Sequence, residues 1–152
     1  MSNKINLLET IKPLVQPSII KHIQIGFTPT SWFEHRHEFP KERGIYMMFG
    51  YMDIYHCLRI GMAAGATGIF GRWFSSISSH YKSFQAPTKR LEAYHEFYRT
   101  MSIYFERVDI VFLLYPQHTA KEIRHLEREL IKHHSPLWEH RTHNRLFWKG
   151  RT

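Results

Sequence analysis

The stretch Gly44–Arg72, GIYMMFGYMDIYHCLRIGMAAGATGIFGR, decides how the chain is read. Gly44 to Phe49 is apolar on both faces, which predicts a strand covered on both sides. Gly50-Tyr51-Met52-Asp53 supplies a turn, and Tyr55 to Ile60 returns as the second strand of a hairpin. Strand parity places Tyr55, Cys57 and Arg59 on one face and His56, Leu58 and Ile60 on the other. Gly61 to Gly71 carries Gly61, Gly65, Gly68 and Gly71. No Gly-Lys-Ser/Thr follows, so it reads as a flexible connection rather than a phosphate loop. From Ile69 to Phe84 the apolar residues Ile69, Phe70, Trp73, Phe74, Ile77, Tyr81 and Phe84 recur at helical spacing. Arg72, Ser76, Ser79 and His80 fall on a polar face of that helix. The stretch is a β-hairpin feeding a helix, with Tyr46, Arg59 and Arg72 carried to one surface. Arg59 taken alone is a strand-end residue whose stem covers apolar surface while its head reaches water. Arg72 in a first helical turn opposes the helix dipole, a small cost that hints at an anionic partner.

Upstream, Asn6 to Val15 reads as a short helix limited by Pro13, and Ile19 to Phe27 alternates as a strand. Ser31 to Pro40 is polar and histidine-rich and reads as loop. His35 and His37 have the spacing of a metal pair on a strand, but solvated histidines look the same and no supporting cluster lies nearby. Downstream, Leu91 to Met101 reads as a helix. Arg107 to Tyr115 is the most strand-like stretch. Val108, Ile110, Phe112 and Leu114 line one face and Val111, Leu113 and Tyr115 the other, as expected of a central strand.

Thr119 caps a helix running to about His134, with Glu122 completing a capping box. Its apolar stripe is Ile123, Leu126, Leu130 and Ile131. At about 100° per residue Glu127 falls inside this stripe, whereas Glu122 and Glu129 fall outside it. A carboxylate on a buried face is costly unless paired or bound to a cation. Two readings stand: a structural ion pair to Arg72 or Arg59, or a metal ligand at a cleft.

With 152 residues, 43% of them apolar, the chain is one domain with material for a real core. A formal net charge of +8, with twelve histidines besides, reads either as solubility or, more sharply, as a polyanionic partner, since lysine and arginine displace counterions from phosphate. Arg141, Arg145, Lys149 and Arg151 cluster near the end with His143, Phe147 and Trp148 among them. Basic plus aromatic suits nucleic acid, and a frayed tail has the same composition. A single cysteine, Cys57, excludes an intrachain disulfide framework. No apolar run is long enough to span a membrane, and the start Met1-Ser2-Asn3-Lys4-Ile5-Asn6 lacks a signal-peptide core. A cytoplasmic protein with no membrane partner is expected. A zinc site near His133, His134, His140 and His143 has a workable spacing but no nearby cysteine.

Gly44-Ile45-Tyr46, Arg59-Ile60-Gly61, Arg72 and Leu126-Glu127-Arg128-Glu129-Leu130-Ile131-Lys132 followed by Pro136 together resemble the GIY-YIG nuclease family. The resemblance covers Gly44 to about Pro136. Arg59 stands where the family has its second tyrosine. Glu139 stands where it has an asparagine, with Asn144 further on. The gap from Arg59 to Arg72 is also longer than in compact members.

The resemblance implies an α/β (α+β) fold, a small mixed or antiparallel central sheet flanked by helices. It would form one domain over 1–152, with a core at about 44–136, an N-terminal elaboration over 1–43 and a basic segment over 137–152. It implies metal-dependent hydrolysis of DNA by a restriction-like or mobile-element endonuclease. Glu127 would bind Mg²⁺ or Mn²⁺, Arg72 would hold the scissile phosphate, and Tyr46 would position or deprotonate water. Arg59 would depress the Tyr46 pKa, and His80 would be an auxiliary acid/base or phosphate contact. Arg141, Arg145 and Lys149 would add contacts to DNA. Duplex cutting with one site per chain favours a homodimer or sequential nicking. The rival expectation is an inactive nucleic-acid-binding module on the same scaffold.

Overall fold

The computed structural model describes residues 16–77, 79–86 and 92–138. The expected helix over Asn6–Val15 and the basic segment with Arg141, Arg145 and Lys149 lie outside them.

Four strands form one antiparallel sheet: β1 (Ile19–Gly26), β2 (Gly44–Met52), β3 (Ile54–Ala63) and β4 (Arg107–Leu114), in the order β1-β4-β2-β3. The protein is therefore α+β, with the sheet antiparallel throughout. β4 is central, as its two apolar faces require. Val108, Ile110, Phe112 and Leu114 enter one core; Val111, Leu113 and Tyr115 enter the other. Helix α5 (Ala120–His134) covers the second core through Ile123, Leu126 and Leu130. The first core is covered by helix α1 (Pro29–Glu34), the short helix α2 (Gly68–Phe70), which continues as a π-helical turn (Gly71–Ser75), and helices α3 (His80–Gln85) and α4 (Glu92–Tyr104). That core is aromatic: Trp32 packs on Trp73, Phe84 and Tyr98.

The Ser31–Pro40 loop reading is overturned. Thr28 caps α1 by accepting a hydrogen bond from Ser31 N–H, Pro29 pre-sets the first turn, and Trp32 is buried. A 3₁₀ turn follows over Arg36–Glu38, and His35 bonds Glu38 rather than pairing with His37.

The hairpin forms, but the expected strand parity fails. Met48 faces Arg59 and Phe49 faces Cys57, so Leu58 is an extra residue, a β-bulge. Tyr55 and Cys57 thus pack with the α5 core, while Leu58 packs with the aromatic core and Arg59 opposite Met48 follows it. The turn is tighter than the four residues expected and hinges on Asp53 at φ 66°. On its outer edge β3 meets residues 137–138: Trp138 N–H donates to Leu58 O at 2.9 Å.

The single helix expected over Ile69–Phe84 is broken. Ser76 is extended (φ −73°, ψ 157°), and Ser79 caps a new helix that starts at His80. Among the described residues no helix is long and apolar enough to cross a membrane.

Candidate active site

The cleft lies at the end of the β3 edge, between that strand, the π-helical turn and α5. Its volume is about 600 Å³, and Tyr46, Arg59, Gly61, Arg72 and Glu127 all line it. These residues come from β2, β3, the turn after α2, and α5. Arg124, Arg128 and Lys132 of α5 line it too, so five cationic side chains face one carboxylate.

Each side chain has a local cause. Tyr46 lies on the aromatic-core face of β2, opposite Gly61 on β3. A methyl group on Gly61 would overlap the Tyr46 hydroxyl and ring, so glycine is what lets the phenol lie across β3. Gly68 sits at φ +58°, where a Cβ would overlap the Lys41 and Glu42 carbonyls, and starts the helical run that delivers Arg72. Arg72 lies in the last turn of that run rather than the first, so the dipole cost expected from sequence does not arise there. Glu127 is half-buried on the cleft side of α5.

His80 corrects the sequence reading. It is buried at 2% exposure, stands behind Tyr46 rather than on a polar helix face, and is not among the residues that line the cleft, which sets it apart from a direct phosphate contact. The break at Ser76 turns it inward. Its Nε2 is 2.5 Å from the Tyr46 hydroxyl and its Nδ1 is 2.5 Å from the Tyr98 hydroxyl. Burial lowers its pKa well below the usual imidazole value, and the nearby Arg59 and Arg72 lower it further. The ring is therefore neutral at pH 7, with one nitrogen as donor and the other as acceptor. Burial raises the pKa of Tyr98, which stays a neutral phenol.

Arg59 does not reach water as a strand-end arginine would. It is 3% exposed, its guanidinium carbon lies 4.8 Å from the Tyr94 ring centroid, and its Nε and Nη1 are buried without a hydrogen-bond partner.

Among the described residues no three His, Cys, Asp or Glu side chains gather into a metal-binding group. A cation here would rest on Glu127. One hard carboxylate suits Mg²⁺, which keeps much of its shell for water and substrate oxygens.

Sequence reading missed Tyr94 and Tyr98, which looked like ordinary helix aromatics. It also missed the stripe Arg124, Arg128, Lys132. Spacing at i, i+4 and i+8 beside Glu127 was the signal for the stripe. Compared with protein-family models, with curated proteins and with solved structures, the chain matches none of them.

Proposed function

We propose that this protein is a metal-dependent endonuclease of the GIY-YIG kind that hydrolyses DNA phosphodiester bonds. The observation that carries the reading is convergence. Tyr46, Arg72 and Glu127, spread over 82 positions of sequence, line one strongly basic cleft, with His80 bonded behind Tyr46. Arg72 offers a planar fork suited to two non-bridging phosphate oxygens. Glu127 would hold Mg²⁺ or Mn²⁺, which when bound supplies positive charge for the oxygens of the reacting phosphate.

Tyr46 and His80 handle the proton. With Nε2 of His80 unprotonated, the Tyr46 hydroxyl donates to it, and the phenolic oxygen can accept a hydrogen bond from water in the cleft. The water's proton passes to the Tyr46 oxygen as the tyrosine proton passes to Nε2, while Nδ1–H donates to Tyr98. Before substrate binds, burial first and then Arg59 and Arg72 make His80 a poor base. An anionic phosphate seated beside the arginines offsets their part of the shift and raises the basicity of His80 when it is needed. One cleft per chain cuts one strand, so duplex cutting takes two copies or two successive nicks.

The test is cleavage of supercoiled plasmid with Mg²⁺ or Mn²⁺ by wild type, Glu127→Ala and Arg72→Ala. Nicked or linear product from wild type is expected, abolished by EDTA and reduced at least about 100-fold in both variants. Binding without cutting of plasmid, branched or single-stranded DNA would sink the enzyme reading in favour of a binding module.

A further inference from the structure

We infer that Arg59 is a second phosphate-holding residue, and that its ligand is a phosphate group of the nucleic-acid strand lying in the cleft. The inference rests on the nuclease reading only for the source of that phosphate.

Arginine stays protonated at any working pH, so it cannot relieve burial by losing its charge as lysine or histidine can. Burying such a charge costs several kcal/mol unless an anion and hydrogen bonds compensate. Arg59 has no carboxylate among the groups that act on it, and its one side-chain hydrogen bond is to the Tyr94 hydroxyl. Its Nε and Nη1 are unpartnered, and the groups that act on it electrostatically are the phenols of Tyr98, Tyr46 and Tyr94. The ion pairs His22–Asp109, His35–Glu38 and Lys132–Glu129 do not involve it. The Tyr94 ring offers a cation–π contact, a partial compensation.

The strand position that carries the side chain is also held in place. The bulge at Leu58 sets its face, Met48 pairs with it on one side, and Trp138 bridges to it on the other. A guanidinium stacked on the Tyr94 ring in the wall of a cleft, with two buried N–H groups lacking a partner, is a largely preorganised oxyanion receptor. Arg72, Arg124, Arg128 and Lys132 line the same cleft, so its charge exceeds what one small monoanion needs and suits a phosphodiester chain.

The primary test compares thermal unfolding of wild type and Arg59→Gln in chloride and in inorganic phosphate at equal ionic strength. Phosphate should raise the Tm of wild type clearly more than that of Arg59→Gln, in which Arg72 and the α5 cations remain, because each occupied site stabilises the fold. In chloride the variant should be at least as stable as wild type, since an uncompensated buried charge is gone. Arg59→Gln placed in a Glu127→Gln background should bind a fluorescent oligonucleotide at least about tenfold more weakly than Glu127→Gln alone. A phosphate effect that survives undiminished in Arg59→Gln overturns the inference. So does a lost phosphate effect with unchanged oligonucleotide affinity, which would assign the site to free phosphate. If the variant fails to fold, the Arg59 Nε–H resonance of wild type decides: it moves on adding phosphate, or it stays and the inference falls. The nuclease reading is judged separately. Arg59-dependent phosphate binding without any DNA cleavage would leave this site standing and remove the enzyme. Cleavage with no Arg59 dependence of phosphate binding would do the reverse.

Discussion

At the scale of single residues, the site is set by close approaches that no propensity records. Gly61 must lack a side chain for Tyr46 to lie across β3, and His80 must be buried to reach Tyr46. Burial makes His80 a stability switch. Its folded pKa lies below the unfolded value of about 6.5, so between the two the unfolded chain binds more protons. Its contribution is fully present above about pH 6.5 and is lost as pH falls toward the folded pKa. Urea unfolding between neutral and mildly acid pH should lose stability more steeply for wild type than for His80→Gln. The difference should approach about 1.4 kcal/mol per pH unit within that window. Parallel profiles would mean that His80 is not held neutral beside Tyr46, Tyr98, Arg59 and Arg72. His134, whose pKa burial also lowers, titrates in both proteins and cancels from the comparison.

At the scale of elements, α5 was readable because its signals are local. Thr119 and Glu122 form the expected capping box, and Glu127, which the helical angle put inside the apolar stripe, is half-buried on the cleft wall. The run Ile69–Phe84 was not readable as two helices. Trp73 and Phe84 keep helical spacing, yet both pack on Trp32 from separate short helices, so one periodicity served two elements. The stripe Arg124, Arg128, Lys132 rises about 6 Å per step along the cleft wall, the geometry of a backbone track. In a Glu127→Gln background, replacing all three by Gln should lower the slope of log affinity against log salt by about 2 to 3 for duplex DNA. Lys132 also pairs with Glu129 at 3.3 Å and should contribute least. An unchanged slope would remove the stripe from the interface.

At the scale of the whole molecule, the sheet order puts β3 at an edge, which leaves room for a cleft, and β1 at the other. β1 is locked by a buried carboxylate in the central strand. Asp109 Oδ1 accepts from His22 Nε2 at 2.8 Å and from Gln24 Nε2 at 3.2 Å. His22→Ala should cost about 1–3 kcal/mol in urea unfolding, because Asp109 is left under-bonded; an unchanged midpoint would count against this lock.

The sequence by itself determined the strands, the central place of β4, the capped helix α5 and the set Tyr46, Arg59, Arg72 and Glu127. Alternation, helical angle, capping and short motifs are all carried by neighbours a few residues apart. Only the tertiary structure decided that Leu58 bulges and sends Arg59 to the aromatic face. It alone decided that the chain breaks at Ser76 and turns His80 inward, and that Tyr94 and Tyr98 complete the site from a distant helix. The physical reason is that these depend on which surfaces meet. A bulge, a helix break and a buried hydrogen bond are settled by packing between segments far apart in the chain, where no local pattern carries the information.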